Sequence, residues 1–167
     1  IKLSIGNKIY RLVWKFIYAL YFKYTFNFMF RWRVLLLKIF GAKVSWKSRI
    51  YPRASIWSPK NLIIHKKATI ANDVIIYNIS NILICESAVI SQFSHLCTAS
   101  KTYWKGKRDL ISKEIIVKKN AWIATDVFIG PGVTIGEGAV ILARCTVFND
   151  IENNKVVKRT RPPTLIF

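Results

Sequence analysis

Ile, Val or Leu stands at every sixth position of this chain from Val44 to Ile56, Ile64 to Ile76, Ile84 to Leu96 and Val117 to Val147. Four residues after each large side chain comes a position that is nearly always small, as at Ser48, Ala54, Ala68, Ser80, Ala88, Ser100, Ala121 and Cys145; Lys60 is the clear exception. A period of six matches neither the 3.6-residue turn of an amphipathic helix nor the two-residue alternation of a half-buried strand. It is the mark of a hexapeptide parallel β-helix, so the expected fold class is mainly β. Two-residue extensions between Ile56 and Ile64 and between Ile76 and Ile84 lengthen those coils to 20 residues, against 18 from Val117 to Ile135.

Three segments follow from where the period holds. Residues 1–43 lack it and are aromatic and basic. Within them Lys8, Arg11, Lys15 and Lys23 fall on roughly a third of a helical circumference, opposite Trp14, Phe16, Ile17, Leu20, Tyr21, Tyr24 and Phe28. That is an amphipathic helix, with two roles open to it: capping the end of the coil stack, or lying on an anionic membrane through residues 8–40. Charges at Lys15, Lys23 and Arg31 interrupt it too often for a transmembrane span. A second short helix, from about Phe30 to Phe40, is expected to stop at Gly41. Residues 44–151 carry the repeat, broken after Lys101 by a basic, aromatic loop over 102–116, and residues 152–167 form a tail outside it.

Lys and Arg number 27 against 8 Asp and Glu, a formal balance of +19. Such charge favours anionic partners, though solvated lysines on coil edges also discourage edge-to-edge aggregation. No nucleic-acid motif accompanies it, which makes nucleic acid a poor fit as partner. Cys85, Cys97 and Cys145 form no CxxC pair, and His65 and His95 are the two histidines, so no zinc-site spacing exists and no metal is expected. Cys145 reads as a buried thiol, which with the lack of a signal-peptide pattern suits the cytoplasm.

Three stretches carry a resemblance: FRWRVLLLKIFGAKV at 30–44, VISQFSHLCTAS at 89–100 and AWIATDVFIGPGVTIGEGAVILARCTVF at 121–148. With the repeat, they resemble the hexapeptide-repeat acyltransferases, in the branch of O-acetyltransferases of colanic acid and other exopolysaccharide biosynthesis. The resemblance implies a left-handed β-helical prism, a homotrimer, and acetyl-CoA held between neighbouring subunits. It implies transfer of the acetyl group to a hydroxyl of a sugar or glycan precursor, in the cytoplasm or at the inner face of the cytoplasmic membrane.

In that family a histidine at the start of the extruded loop takes the acceptor proton as general base. The family's Ser-His-Asp-aromatic motif corresponds here to Ser100, Lys101, Thr102 and Tyr103. Lysine's ordinary pKa lies about three units above neutral pH, which leaves it protonated and unsuited to a base. His95, one hexad earlier, is the other candidate base. By position the resemblance assigns Trp122, Thr125, Ala143 and Pro162 to the cofactor groove, and Asn78 and Tyr103 to the acceptor; Arg159 is placed with the cofactor by its charge, which suits the CoA phosphates. Two further readings stand beside the enzyme: a non-catalytic member serving as a binding or assembly subunit, and a nucleic-acid binder.

Overall fold

The structure, a computed structural model, describes residues 5–104 and 107–158. The hexads form the walls of a parallel β-solenoid with three sheets. Sheet one stacks Lys43–Val44, Leu62–Ile64, Ile82–Ile84, Ile115–Val117 and Thr134–Ile135. Sheet two stacks Arg49–Ile50, Thr69–Ile70, Val89–Ile90, Trp122–Ile123, Val140–Ile141 and Val156–Val157. Sheet three stacks Ser55–Ile56, Ile75–Tyr77, His95–Cys97, Phe128–Ile129 and Thr146–Val147. All fifteen large residues of the period point inward into one continuous core, each fully buried side chain contributing about 1.5–3 kcal/mol.

At most corners the residue just before the small position takes a left-handed backbone. Lys67, Asp73, Ser87, Phe93, Asn120 and Asp126 all sit near φ +60°, and Gly132 and Gly138 take the same role at φ +84° and +65°. The small side chain that follows fits because the chain reverses tightly there, and Ala68, Ala88 and Ala121 are wholly buried.

The corner between sheets three and one is built differently. Ser80 is only half-buried and Ser100 is exposed, although both stand at small positions of the repeat. The two-residue extensions, and the departing arm in the third coil, widen this corner, so Ser58, Asn78 and Thr98 turn inward in their place, one in each of the first three coils. Asn78 binds both backbone groups of Ser58, accepting from its N–H at 3.0 Å and donating to its carbonyl at 2.7 Å. Thr98 Oγ1 accepts the Ser80 N–H at 3.1 Å. Buried hydroxyls and amides here take over what a tight turn supplies elsewhere.

The stretch expected as a loop over 102–116 is a two-stranded antiparallel arm instead. Ala99–Trp104 pairs with Lys107–Ser112, in register from Ala99↔Ser112 to Trp104↔Lys107. Six paired positions satisfy backbone groups that an open loop would leave to water. The tail also departs from expectation. Ile151 bridges to Ile135, and Val156–Val157 extends sheet two beyond Val140–Ile141. Ile151 and Val157 are themselves six apart, so the period runs into the segment read as tail.

Helix α1 (Ile5–Ile17) continues into a π-helical turn at Tyr18–Phe22, and after a loop helix α2 (Phe30–Ile39) follows. α2 ends as expected, with Gly41 at φ +86°. Together the helices close the first coil. In a parallel stack the carbonyl of each large residue accepts an N–H from the coil before it, as in Tyr51 N–H to Ile70 O and Trp57 N–H to Ile76 O, both 2.9 Å. The first coil has no predecessor, and side chains replace it. Arg33 Nε donates to Ile50 O at 2.6 Å, and Trp14 Nε1 donates to Ile56 O at 2.7 Å.

The amphipathic face of α1 is turned around relative to the sequence reading. Trp14 is 2% exposed against the coil, while Leu12, Phe16 and Tyr24 are 69%, 63% and 79% exposed. Arg11, expected in solvent, lays its guanidinium over the Trp57 ring at 3.3 Å. The open coil end requires a hydrogen-bond donor, which Trp14 supplies from α1, and the Trp57 ring gives the Arg11 guanidinium a face to stack on, so these two face inward and aliphatic residues face out.

Candidate functional site

The arm leaves the solenoid between the third and fourth coils, and its root is held by the polar ladder at that corner. Ser112 Oγ lies 2.5 Å from Ser80 Oγ, and Lys113 N–H donates to Thr98 O at 2.9 Å. Lys101 sits two residues along the arm, exposed and paired with Leu110. The backbone of Tyr103 pairs with Arg108, and its side chain lies outside the described residues, as do Arg159 and Pro162. Asn78 is buried at the arm's root with its amide committed to Ser58. In this chain it braces the ladder rather than offering a free amide to an acceptor.

His95 stays on sheet three, a hexad before Lys101. Its ring meets Phe128 edge-on, with centroids 5.3 Å apart and planes at 85°. Nε2 is buried without a hydrogen-bond partner, and burial pushes the imidazole below its ordinary pKa of 6.5. A base whose folded pKa is depressed contributes stability that is present above 6.5 and is lost as pH falls through the depressed value, because the unfolded chain takes up the proton first. Urea denaturation across this acid range is expected to show stability declining below about pH 6.5, with a shallower decline in His95→Gln. An unchanged acid slope in the variant would remove His95 as its source.

Trp122, Thr125 and Ala143 come together on the fourth and fifth coils. The Trp122 indole is half-exposed on sheet two, its Nε1–H donating to Ser91 Oγ at 3.1 Å. Ala124 lies beside it in the wall, and Thr125 O accepts the Arg144 N–H at 3.0 Å where the two coils stack. Ala143 is exposed at the same corner, next to the cationic Arg144. An aromatic wall, a floor of alanines and an exposed cation suit a long, thin ligand lying against backbone with an anionic end. Further along sheet two a groove of about 490 Å³ opens between Tyr51, Arg53, Asp73, Ser91 and Phe93. Arg53 and Asp73 form a bidentate pair across it, at 2.7 Å from Nη2 to Oδ2 and 3.0 Å from Nε to Oδ1. None of the residues assigned from the sequence lines this groove, whose one sign there is Phe93, a large aromatic at a corner that favours glycine, held at φ +63°.

The candidate residues therefore form two groups on different parts of the prism. Lys101 and Asn78 belong to the corner between sheets three and one, whereas Trp122, Thr125 and Ala143 belong to sheet two and its following corner. Among the described residues no group of three or more His, Cys, Asp or Glu side chains is arranged to hold a metal ion.

A search of curated proteins gives the decisive likeness. Over 161 residues the chain is 37% identical to the colanic acid biosynthesis acetyltransferase WcaF of Escherichia coli (strain K12), covering 96% of this chain and 88% of the relative. The chain belongs to the hexapeptide-repeat acetyltransferases, in the colanic acid biosynthesis branch. Solved structures share the fold. A hexapeptide-repeat-containing acetyltransferase of Vibrio cholerae O1 biovar eltor, solved with acetyl coenzyme A, superposes with TM-score 0.82 at 23% identity, covering 92% of this chain and 84% of that one. A maltose O-acetyltransferase of Clostridium difficile 630 gives 0.81 at 23% identity, covering 92% and 83%. No protein-family model matches the chain.

Proposed function

We propose that this acetyltransferase moves an acetyl group from acetyl-CoA to a hydroxyl of a sugar or glycan precursor in exopolysaccharide biosynthesis, in the cytoplasm. The observation that carries the reading is the arm thrown out at Lys101 from the solenoid of a chain 37% identical over 161 residues to its colanic acid relative.

The residues of the fourth and fifth coils fit acetyl-CoA as co-substrate. Trp122 is fixed by Ser91 as one wall, Ala124 and Ala143 leave the backbone approachable, and the exposed Arg144, whose Nε lies 3.6 Å from Asp126 Oδ2, has the rest of its guanidinium to offer a phosphate. Bound there, acetyl-CoA supplies an activated thioester; the acceptor hydroxyl loses a proton as it is acylated, and the thiol leaves with one. Lys101 stands where the resemblance sets the base. Its ammonium donates hydrogen bonds and accepts none, so it orients an anionic or hydroxyl group rather than removing a proton. Arg159 and Pro162 belong to the cofactor side of this proposal, and Tyr103 to the acceptor side. The bidentate Arg53–Asp73 pair and the flanking Tyr51 and Phe93 give the groove of sheet two the mixed polar and aromatic lining that a saccharide uses.

Because the arm and the Trp122 corner lie on different parts of one prism, a complete site needs the arm of one copy beside sheet two of another. This supports self-association as a homotrimer, the symmetry that a three-sided prism repeats with one interface.

Thiol release from acetyl-CoA with a panel of saccharide acceptors tests the proposal. Turnover by the native chain that is lost in Ala143→Phe supports it. Acetyl-CoA binding by calorimetry without turnover on any acceptor would assign the chain instead to a binding or assembly subunit, the reading that Lys101 itself favours.

A further inference from the structure

The helices that close the first coil carry a second surface that the fold does not use. On α1 and the π turn, Leu12, Val13, Phe16 and Leu20 follow one another at helical spacing, with Tyr24 just beyond the turn, and all are exposed. On α2, Phe28 just before it, Trp32, Leu35 and Ile39 form a matching outer stripe, opposite the inward Arg33, Val34 and Leu37. Trp32 Nε1 donates to Tyr21 O at 2.9 Å, which ties the two stripes side by side. Isolated apolar residues on a surface are ordinary, but two adjoining helical stripes of this extent mark a surface that another phase covers.

Charge decides what that phase is. The first 72 residues hold fifteen Lys and Arg and no Asp or Glu. Lys8, Lys15, Lys23 and Arg31 are exposed on the same helices as the apolar stripes. Two copies meeting through this plate around a two-fold axis would bring two sets of these cations into one interface, and the first 72 residues hold no carboxylate to set between them. A protein partner would have to bring an acidic rim around an apolar centre. An anionic bilayer offers both at once: acyl chains for Leu12 and Phe16, headgroup phosphates for the lysines, and an interfacial zone that Tyr and Trp prefer. No helix among the described residues is long and apolar enough to cross a membrane, which leaves docking on the surface.

We infer that the N-terminal helical plate is a monotopic membrane dock, seating Leu12, Phe16, Leu20, Trp32 and Ile39 in the headgroup–acyl boundary of an anionic leaflet. Since the inner side of the plate covers the first coil, the solenoid stands out from the bilayer. This inference is independent of whether the chain transfers acetyl groups.

Co-sedimentation with vesicles of phosphatidylglycerol and phosphatidylcholine in about a 1:2 ratio tests it. The full chain is expected to sediment with these vesicles and not with phosphatidylcholine alone, and added salt is expected to weaken binding. Leu12→Glu combined with Phe16→Glu should lower partitioning about tenfold or more. Both positions are solvent-exposed, so thermal melting of the variant should match the native chain and separate lost docking from lost folding. Lys15→Glu combined with Lys23→Glu should lower binding and flatten its salt dependence. Equal sedimentation with both vesicle types, or retention by the Leu12→Glu, Phe16→Glu variant, overturns the inference. So does light scattering in which that variant falls to a smaller assembly while its own vesicle binding stays at the native level, since the plate would then be a contact between copies.

Discussion

Replacing Arg33 by Leu is expected to lower folding stability by about 3–5 kcal/mol, read as a shift of the urea midpoint at unchanged slope. Arg33 is wholly buried, and burial pushes its guanidinium down to about 10. It is held by oxygens without formal charge: Ile50 O at 2.6 Å, Thr25 Oγ1 at 2.7 Å, Phe26 O at 2.8 Å and Asn27 O at 2.6 Å. One side chain thus joins the open edge of the first coil to the loop between the helices. Leucine matches the apolar surroundings but leaves these acceptors dry, and each buried acceptor without a donor costs about 1–3 kcal/mol. Arg33→Lys should rescue little, because an ammonium cannot span four acceptors that a planar fork reaches together. Trp14→Phe removes the donor to Ile56 O and trims a buried ring packed on Phe22 and Phe40; it leaves one acceptor dry against four, and should cost less. A loss below about 1 kcal/mol for Arg33→Leu would mean that water or a shifted loop fills the vacancy, and that the guanidinium does not hold the cap.

Lys101→His is expected to raise turnover in acetyl transfer by about 10²–10⁴-fold, the usual contribution of a positioned general base. An imidazole can accept a proton at neutral pH, whereas an ammonium has no acceptor lone pair. Position 101 is exposed on the paired part of the arm, so the substitution leaves the solenoid's packing intact. Thiol release from acetyl-CoA, followed with saccharide acceptors for both proteins, checks it. A rise in kcat with KM for acetyl-CoA unchanged is the signature, since the Trp122 corner is untouched. Equal turnover in the two proteins would show that the arm root does not host the proton transfer. Loss of activity in Lys101→His would instead make the native ammonium an essential contact to substrate.

The solenoid was legible because its constraint is local and repeated: Ile84, Ile90 and Leu96 each meet the same triangular interior, so one rule recurs in the residues. Even the 20-residue coils were countable. What they meant was not, because a two-residue extension can bulge outward or widen the corner, and only the folded chain reveals Ser58, Asn78 and Thr98 turned inward. Asn78, Lys101 and Tyr103 were found together by resemblance, yet Asn78 is spent on Ser58. Hydrogen bonding at a buried corner left no period to read. Arg11 and Trp14 illustrate a third limit. Amphipathicity in a sequence assumes that polar residues face water, and here Trp14 and Arg33 face carbonyls while Leu12 and Phe16 face out. Groove residues such as Arg53 and Asp73 lie 20 apart, and their pairing follows only once the coils are stacked.

The one-way carbonyl ladder also sets which parts of the chain are interchangeable. Ile70 O and Ile90 O each receive an N–H from the coil before, and Ile50 O receives Arg33 in its place. Cut away the first coil, and the next would present the same empty row of acceptors with no arginine or tryptophan to fill it. Splice out an interior coil whole, and the flanking coils still offer each other matching edges. Length is therefore a free variable in this architecture and the starting face is not: the solenoid is a ruler whose markings can be added or removed, but whose zero is made only once.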